Sequence, residues 1–200
     1  MEEVRCFIAI ELPEEIKKGL RELQAQLKAG SRAPVKWVDP ENIHLTLKFL
    51  GNVPADRINE ITKAMTEAVR GTPYLPLEIR ELGVFPNPRR VQIVWVGLGG
   101  EVETLARLQQ RIESGLEGLG FPAEGRRFTP HLTLARLRDR ATPDERQKLG
   151  QLIAETEFFA ARGFIADSVN LMKSQLTGEG PIYTRLSSAA LDKTLPTAKA

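Results

Sequence analysis

The sequence predicts one domain that mixes strands and helices in two similar lobes. Three observations predict it. Strand, helix, motif strand and helix follow one another in that order, and then the same order recurs. The only two histidines of the 200-residue chain stand in one repeated tetrapeptide, His44-Leu45-Thr46-Leu47 and His131-Leu132-Thr133-Leu134. A chain of this length suits one domain with a substantial core, or two small lobes sharing one. No linker-like composition divides it, so residues 1–189 are expected to form a single domain.

Residues 4–11 alternate and are rich in β-formers, which reads as a first strand. Pro13 opens a helical pattern to about residue 29, with Ile16, Leu20, Leu23 and Leu27 at three- or four-residue spacing; Gly30 and Pro34 close it. The first motif strand spans 43–50 and ends at Gly51-Asn52. A second helix runs from Pro54 to Val69 along a stripe of Ile58, Ile61, Met65 and Ala68. Strands are expected at 74–83 and 91–97, separated by the turn-rich Phe85-Pro86-Asn87-Pro88. Glu101–Leu119 reads as an amphipathic helix. The second motif strand occupies 129–137, and Thr142-Pro143-Asp144-Glu145 starts a helix that reaches 155. Strands are expected at 158–166, 168–176 and 182–188. Residues 190–200 hold little apolar content and read as a frayed tail. Outside the tetrapeptides no repeated residues are evident, so the two-lobe reading rests on the order of elements.

Side chains two apart on a strand share a face. His44 and Thr46 therefore face one way while Leu45, Leu47 and Phe49 face the other, and His131 and Thr133 oppose Leu132 and Leu134. The leucine side buries; the His/Thr side lines a surface or cleft. Histidine is the side chain best suited to exchanging protons near neutral pH. Two such faces set against each other would supply two imidazoles and two hydroxyl donors. A tetrahedral phosphate fits that set: hydroxyls hold non-bridging oxygens, one imidazole activates water and the other protonates the leaving oxygen. The residues alone leave open which histidine is acid and which is base. A single His-x-Thr is more often an ordinary strand than a site, but two matched copies reverse those odds. Two histidines do not complete a zinc shell of about four ligands, and the sequence holds no Cys/His cluster at ligand spacing. No metal and no cofactor are expected.

Around both motifs the chain resembles the 2H phosphoesterase superfamily, and within it the RNA 2′,3′-cyclic phosphodiesterases, also called 2′-5′ RNA ligase-like proteins. The resemblance extends over Arg5-Cys6-Phe7-Ile8-Ala9-Ile10, Trp37-Val38-Asp39-Pro40-Glu41-Asn42-Ile43 and Lys48-Phe49-Leu50-Gly51. It continues through Phe85-Pro86, Pro88-Arg89, Phe128-Thr129-Pro130, Ala135-Arg136, Ser174-Gln175-Leu176 and Gly180-Pro181-Ile182-Tyr183. It covers residues 4–187. It implies a bilobal α+β fold with antiparallel sheets, outer helices and a central cleft. It also implies metal-independent opening of an RNA 2′,3′-cyclic phosphate to a 2′-phosphate. In that reaction His44 is the proton donor to the ribose 3′ oxygen and His131 the proton acceptor that activates water.

Thr46 and Thr133 are then expected to bind phosphate oxygens, and Arg136 matches an arginine of the family five residues past the second histidine. Strict alternation puts Arg136 on the leucine face, so a bulge or the strand's end would have to redirect it. Phe49, Trp37 and Tyr183 are candidates to stack on a base, although alternation favours core packing for Phe49. Lys48 shares the parity of His44 and Thr46, which makes it a candidate phosphate contact. Ser174 has no assigned role.

Composition narrows the remaining classes. Hydrophobic residues make up 42% and charged residues 27%, as in ordinary globular proteins. The one cysteine, Cys6, reads as a buried structural thiol. Met1-Glu2-Glu3 does not open a secretory signal, and the apolar runs are too short to span a bilayer. A monomer in the cytoplasm is expected, without membrane contact. The net charge of +2 does not announce a nucleic-acid binder, but Arg126, Arg127, Arg136, Arg138 and Arg140 cluster around the second motif and Arg89-Arg90 form a further basic pair. The expected partners are RNA ends bearing a 2′,3′-cyclic phosphate, or small cyclic nucleotides. Two other functions compete: reversible 2′-5′ joining of RNA ends, and a non-catalytic RNA- or nucleotide-binding module. Intact histidines and threonines weigh against the module.

Overall fold

A computed structural model describes residues 2–157, 163–178 and 180–194. Among these the order is β1 (Glu3–Glu11), α1 (Glu14–Gly30), β2 (Val35–Trp37), β3 (His44–Pro54), α2 (Ile58–Val69), β4 (Leu75–Phe85) and β5 (Ile93–Gly100), then α3 (Val102–Glu117), β6 (His131–Leu137), α4 (Pro143–Glu155), β7 (Gly163–Ala166), β8 (Ser168–Leu176) and β9 (Pro181–Ala190). The first sheet runs β3-β1-β8-β9 and the second β2-β6-β5-β4-β7. Neighbouring strands in both are antiparallel. No helix among the described residues is long and apolar enough to cross a membrane.

Every element but β2 follows from its local sequence. The apolar stripe of α1 is buried at Ile16, Leu20, Leu23 and Leu27, and that of α3 at Leu105, Leu108, Ile112 and Leu116. Helix α4 begins at a reciprocal cap: Thr142 Oγ1 accepts from the Glu145 amide (3.2 Å) and Glu145 Oε2 accepts from the Thr142 amide (2.7 Å). Strand β2 is an addition to the elements expected from sequence. Three residues are too few to show a period, and they extend because β6 offers them an edge to pair with.

The two halves of the chain exchange helices. Helix α1 leaves the first sheet, yet its Gln24 Nε2 donates to the carbonyls of Val38 (2.7 Å) and Leu134 (3.0 Å), next to and within β6 of the second sheet. Helix α3 leaves the second sheet, yet its Gln109 Nε2 donates to the carbonyl of Leu47 (3.3 Å) within β3 of the first. The Leu47 and Leu134 carbonyls so held each lie three residues past a motif histidine. The two glutamines stand in one repeated word, Leu20-x-x-Leu23-Gln24-x-x-Leu27 and Leu105-x-x-Leu108-Gln109-x-x-Ile112. The order of elements is therefore not the only trace of repetition outside the tetrapeptides. One continuous apolar core runs through both lobes, from Ile8 and Leu45 to Val94 and Leu132. Burying each such aliphatic side chain contributes about 1.5–3 kcal/mol.

Cys6 is buried, and burial pushes its thiol up to about 11, which fits a packing role. The strand expected at 158–166 is described only as β7; residues 158–162 lie outside the described residues. The segment expected to fray from residue 190 is tied down at its start. Leu191 is buried, and the Tyr74 amide donates to the carbonyls of Asp192 (3.1 Å) and Thr194 (2.9 Å). Residues 195–200 lie outside the described residues.

Candidate active site

Both motif strands carry a β-bulge at the same place. Thr46 pairs with Ala9 and Lys48 with Ile8, so Leu47 is the extra residue of β3; Thr133 pairs with Trp95 and Ala135 with Val94, so Leu134 is the extra residue of β6. An extra residue reverses the alternation beyond it. Leu47 and Lys48 both turn inward, and so do Leu134 and Ala135. Phe49 and Arg136 consequently emerge on the histidine side.

This corrects two expectations, for Phe49 and Lys48, and supplies the bulge that the candidacy of Arg136 required. Phe49 does not pack in the core; it is 61% exposed on the His44 face. Arg136 is exposed on the His131 face rather than the leucine face. Lys48 is not a phosphate contact, since it is buried at 1% exposure, ion-paired with Glu113 of α3 and donating to the Pro122 carbonyl (2.9 Å). A third correction concerns Trp37. It pairs with Ala135, so it shares that residue's inward face, packs against the core and is capped by Lys28 of α1 at 5.4 Å. It is not placed to meet a base.

The two histidines are held alike. His44 Nδ1 lies 2.8 Å from the Asn42 carbonyl and His131 Nδ1 lies 2.7 Å from the Thr129 carbonyl. A carbonyl only accepts, so each Nδ1 carries the proton and each Nε2 is left to exchange one. The walls differ. Phe7 stacks on His44 at 4.6 Å and Tyr183 meets its edge at 5.2 Å. Phe85 meets His131 edge-on at 5.2 Å, backed by Trp95 stacked on Phe85 at 4.9 Å. Burial beneath those rings pulls the His44 pKa below its ordinary value; the bond to Asn42 and the charge of Glu11 oppose this more weakly. Glu11 sits directly across from His44 in the β1–β3 pair and accepts from Asn170 Nδ2 and Arg185 Nε, each at 2.7 Å.

The two faces meet. Cα atoms of β3 and β6 approach within 8 Å of each other. Arg136, from the second lobe, lies close enough to Tyr183, from the first, for its charge to counter the rise that burial imposes on the phenol. Asn42 Nδ2, just ahead of β3, donates to the Pro181 carbonyl at the start of β9 (3.0 Å), which draws the far edge strand toward the motif. His44, Thr46, Phe49, Phe7, Tyr183 and Arg136 thereby border one polar face with aromatic walls, which can take an anion flanked by an aromatic ring. Among the described residues no group of three or more His, Cys, Asp or Glu side chains converges as a ligand set.

Phe7, Phe85, Trp95 and Glu11 were not singled out from the sequence. A signal existed for the first-lobe pair: Phe7, Ala9 and Glu11 share one parity on the strand opposite the motif. Gln24 and Gln109 had a signal too, as polar residues lying on apolar helical stripes.

Comparison with known proteins agrees with this architecture. The model of a family described as LigT-like phosphoesterase matches residues 10–95 and 97–183. A Methanothermobacter thermautotrophicus protein named RNA 2′,3′-cyclic phosphodiesterase is 38% identical over 181 residues, covering 90% of this chain and 95% of its own. A Thermotoga maritima protein of the same name is 34% identical, covering 90% of this chain and 91% of its own. Among solved structures, a Thermus thermophilus protein superposes with a TM-score of 0.77 at 26% identity, covering 94% of this chain and 98% of its own. The Escherichia coli LigT complex with 3′-AMP gives 0.75 at 25% identity, covering 96% of this chain and all of that one, 100%.

Proposed function

The chain belongs to the LigT-like phosphoesterase family, and from that premise we propose that it hydrolyses RNA 2′,3′-cyclic phosphates to 2′-phosphates by paired imidazole acid–base catalysis without a metal. One observation supports the mechanism above all: both histidines give Nδ1 to a backbone carbonyl and keep Nε2 for proton exchange. His131 Nε2 takes a proton from water as its oxygen attacks phosphorus. The bond from phosphorus to the ribose 3′ oxygen breaks, and His44 Nε2 gives that oxygen its proton. Thr46, Thr133 and Arg136 hold the non-bridging oxygens, where charge develops. The assignment of donor and acceptor rests on the family resemblance.

The burial of His44 bears on the donor's role. An imidazolium destabilised by its surroundings is the stronger acid, and so a better donor once protonated. The same burial lowers its protonated population near neutral pH. A phosphate anion bound beside the ring opposes that loss by attracting the charged form. Phe49 and Tyr183 offer the aromatic surface on which a terminal base would stack.

The test is incubation with nucleoside 2′,3′-cyclic monophosphates in excess chelator, with identification of the product isomer. Turnover to the 2′-phosphate is expected. A 3′-phosphate product would overturn the assignment of the leaving oxygen, and turnover abolished by chelator would overturn the metal-free mechanism. Binding without turnover would leave a nucleotide-binding module.

A further inference from the structure

The basic end of the second sheet is not consumed by this chemistry. Lys36 of β2 is the cross-strand partner of Arg136, and the chain then turns through Arg138, Asp139 and Arg140. With Leu137 these side chains line a surface cavity of about 440 Å³. Four cations thus surround one carboxylate, and among the described residues none of the four is ion-paired. Like charges directly opposite one another on an antiparallel pair are destabilising. Lys36 and Arg136 form such a pair, and an anion lying over it would relieve their repulsion.

The scaffold beneath is fixed. Arg146 of α4 spends its guanidinium on the carbonyls of Val91 (2.7 Å), Ala141 (3.3 Å) and Arg138 (3.3 Å). The Arg138 amide donates to the Pro34 carbonyl and the Leu137 amide to the Gln92 carbonyl, each at 2.9 Å. The backbone that carries these cations is therefore set before anything binds, which limits the ordering cost to their side chains. Arg136 belongs both to this cavity and to the histidine face, so the two are continuous. The corresponding position of the first lobe holds Phe49, which gives that side an aromatic character instead.

We propose that this groove carries the RNA strand on the 5′ side of the reacting phosphate, so that the end of an oligonucleotide is preferred over a free cyclic nucleotide. The inference rests on the hydrolytic reading above. The terminal base lies toward Phe49 and Tyr183, and the preceding backbone phosphates follow Arg136 past Lys36 to Arg138 and Arg140.

A triple variant, Lys36→Gln with Arg138→Gln and Arg140→Gln, tests this while leaving Arg136 in place. Two readouts separate the groove from the reaction. The first is hydrolysis of a 2′,3′-cyclic mononucleotide, expected unchanged in the variant. The second is anisotropy of a labelled short oligoribonucleotide ending in a 3′-phosphate. Three neutralised phosphates on a single strand give a slope of about −2 in log K against log salt, or about 20-fold between roughly 50 and 200 mM. The variant should bind more weakly at the lower salt and lose that part of the salt dependence. Equal affinity and slope in both proteins would overturn the groove, as would an equal loss on mononucleotide and oligonucleotide. If the mononucleotide is not hydrolysed while binding still depends on the three cations, the groove stands and the hydrolytic reading falls.

Discussion

Strands β3 and β6 share four residues, a bulge at the same step, a carbonyl under each imidazole and a glutamine clamp from the opposite half of the chain. They part company beyond the bulge. One position past it β3 has Lys48 and β6 has Ala135; two past it β3 has Phe49 and β6 has Arg136. Across the sheet from the histidines stand Glu11 in one lobe and Gly97 in the other. The space that Gly97 leaves open is taken by Glu81, whose Cγ lies 2.7 Å from where a Cβ would be. Under the proposed reaction, what is common to the two strands would serve an in-line displacement at phosphorus from both sides. What differs would serve a nucleotide, whose base and phosphates are chemically unlike.

The largest effects probe the shared part. His44→Ala and His131→Ala should each lower kcat by about 10²–10⁴-fold. Losses below tenfold in both variants would break the paired acid–base mechanism. Next comes the buried ion pair of Lys48 with Glu113, for which Ala135 at the matching position of β6 offers no counterpart. Lys48→Met leaves Glu113 charged in the core and should cost about 3–5 kcal/mol in a denaturant titration. Adding Glu113→Leu should restore most of it, whereas a neutral Lys48→Met variant would mean that the pair is not needed for packing.

Smaller effects sharpen the difference between aromatic and basic sides. Phe49→Ala should weaken binding of a cyclic nucleotide by about 1–3 kcal/mol through lost stacking, with no change for ribose 2′,3′-cyclic phosphate, which has no base. An equal loss on both substrates would remove Phe49 from base recognition. The smallest effect concerns pH. The His44 pKa is lowered in the folded protein, so the unfolded chain binds the extra proton first. The stability tied to this ring is present above pH about 6.5 and is lost as pH falls through the lower folded-state value. Phe7→Ala opens the ring to water and should move the His44 titration upward, measured by NMR of the imidazole. A downward movement would contradict burial as the cause.

How much of this was legible in the sequence depended on period. Helices α1, α2 and α3 were readable because their stripes repeat over several turns, α4 because of its start signal at Thr142-Pro143-Asp144-Glu145, and both motif strands because Leu and Thr alternate. The bulges were not readable, since a bulge is a property of two paired strands and neither strand spells it alone. That single omission misdirected Lys48 and Phe49 together, whereas Arg136 was kept as a candidate against its parity by the family resemblance. Trp37 failed for a related reason: its face is set by β6, a partner distant in sequence. The ring walls Phe7 and Phe85 needed the sheet order before their nearness to the histidines could be seen. His44, Thr46, His131 and Thr133 needed only the repetition.

The exchanged helices bear on how the protein is made. Strand β1 leaves the ribosome first, yet its neighbour β8 leaves near the end, and β3 waits for α3 to supply Gln109 to its backbone. Neither sheet can be completed while the chain is still half synthesised. Nascent β1 and β3 therefore keep apolar faces open until the second half of the chain has been made.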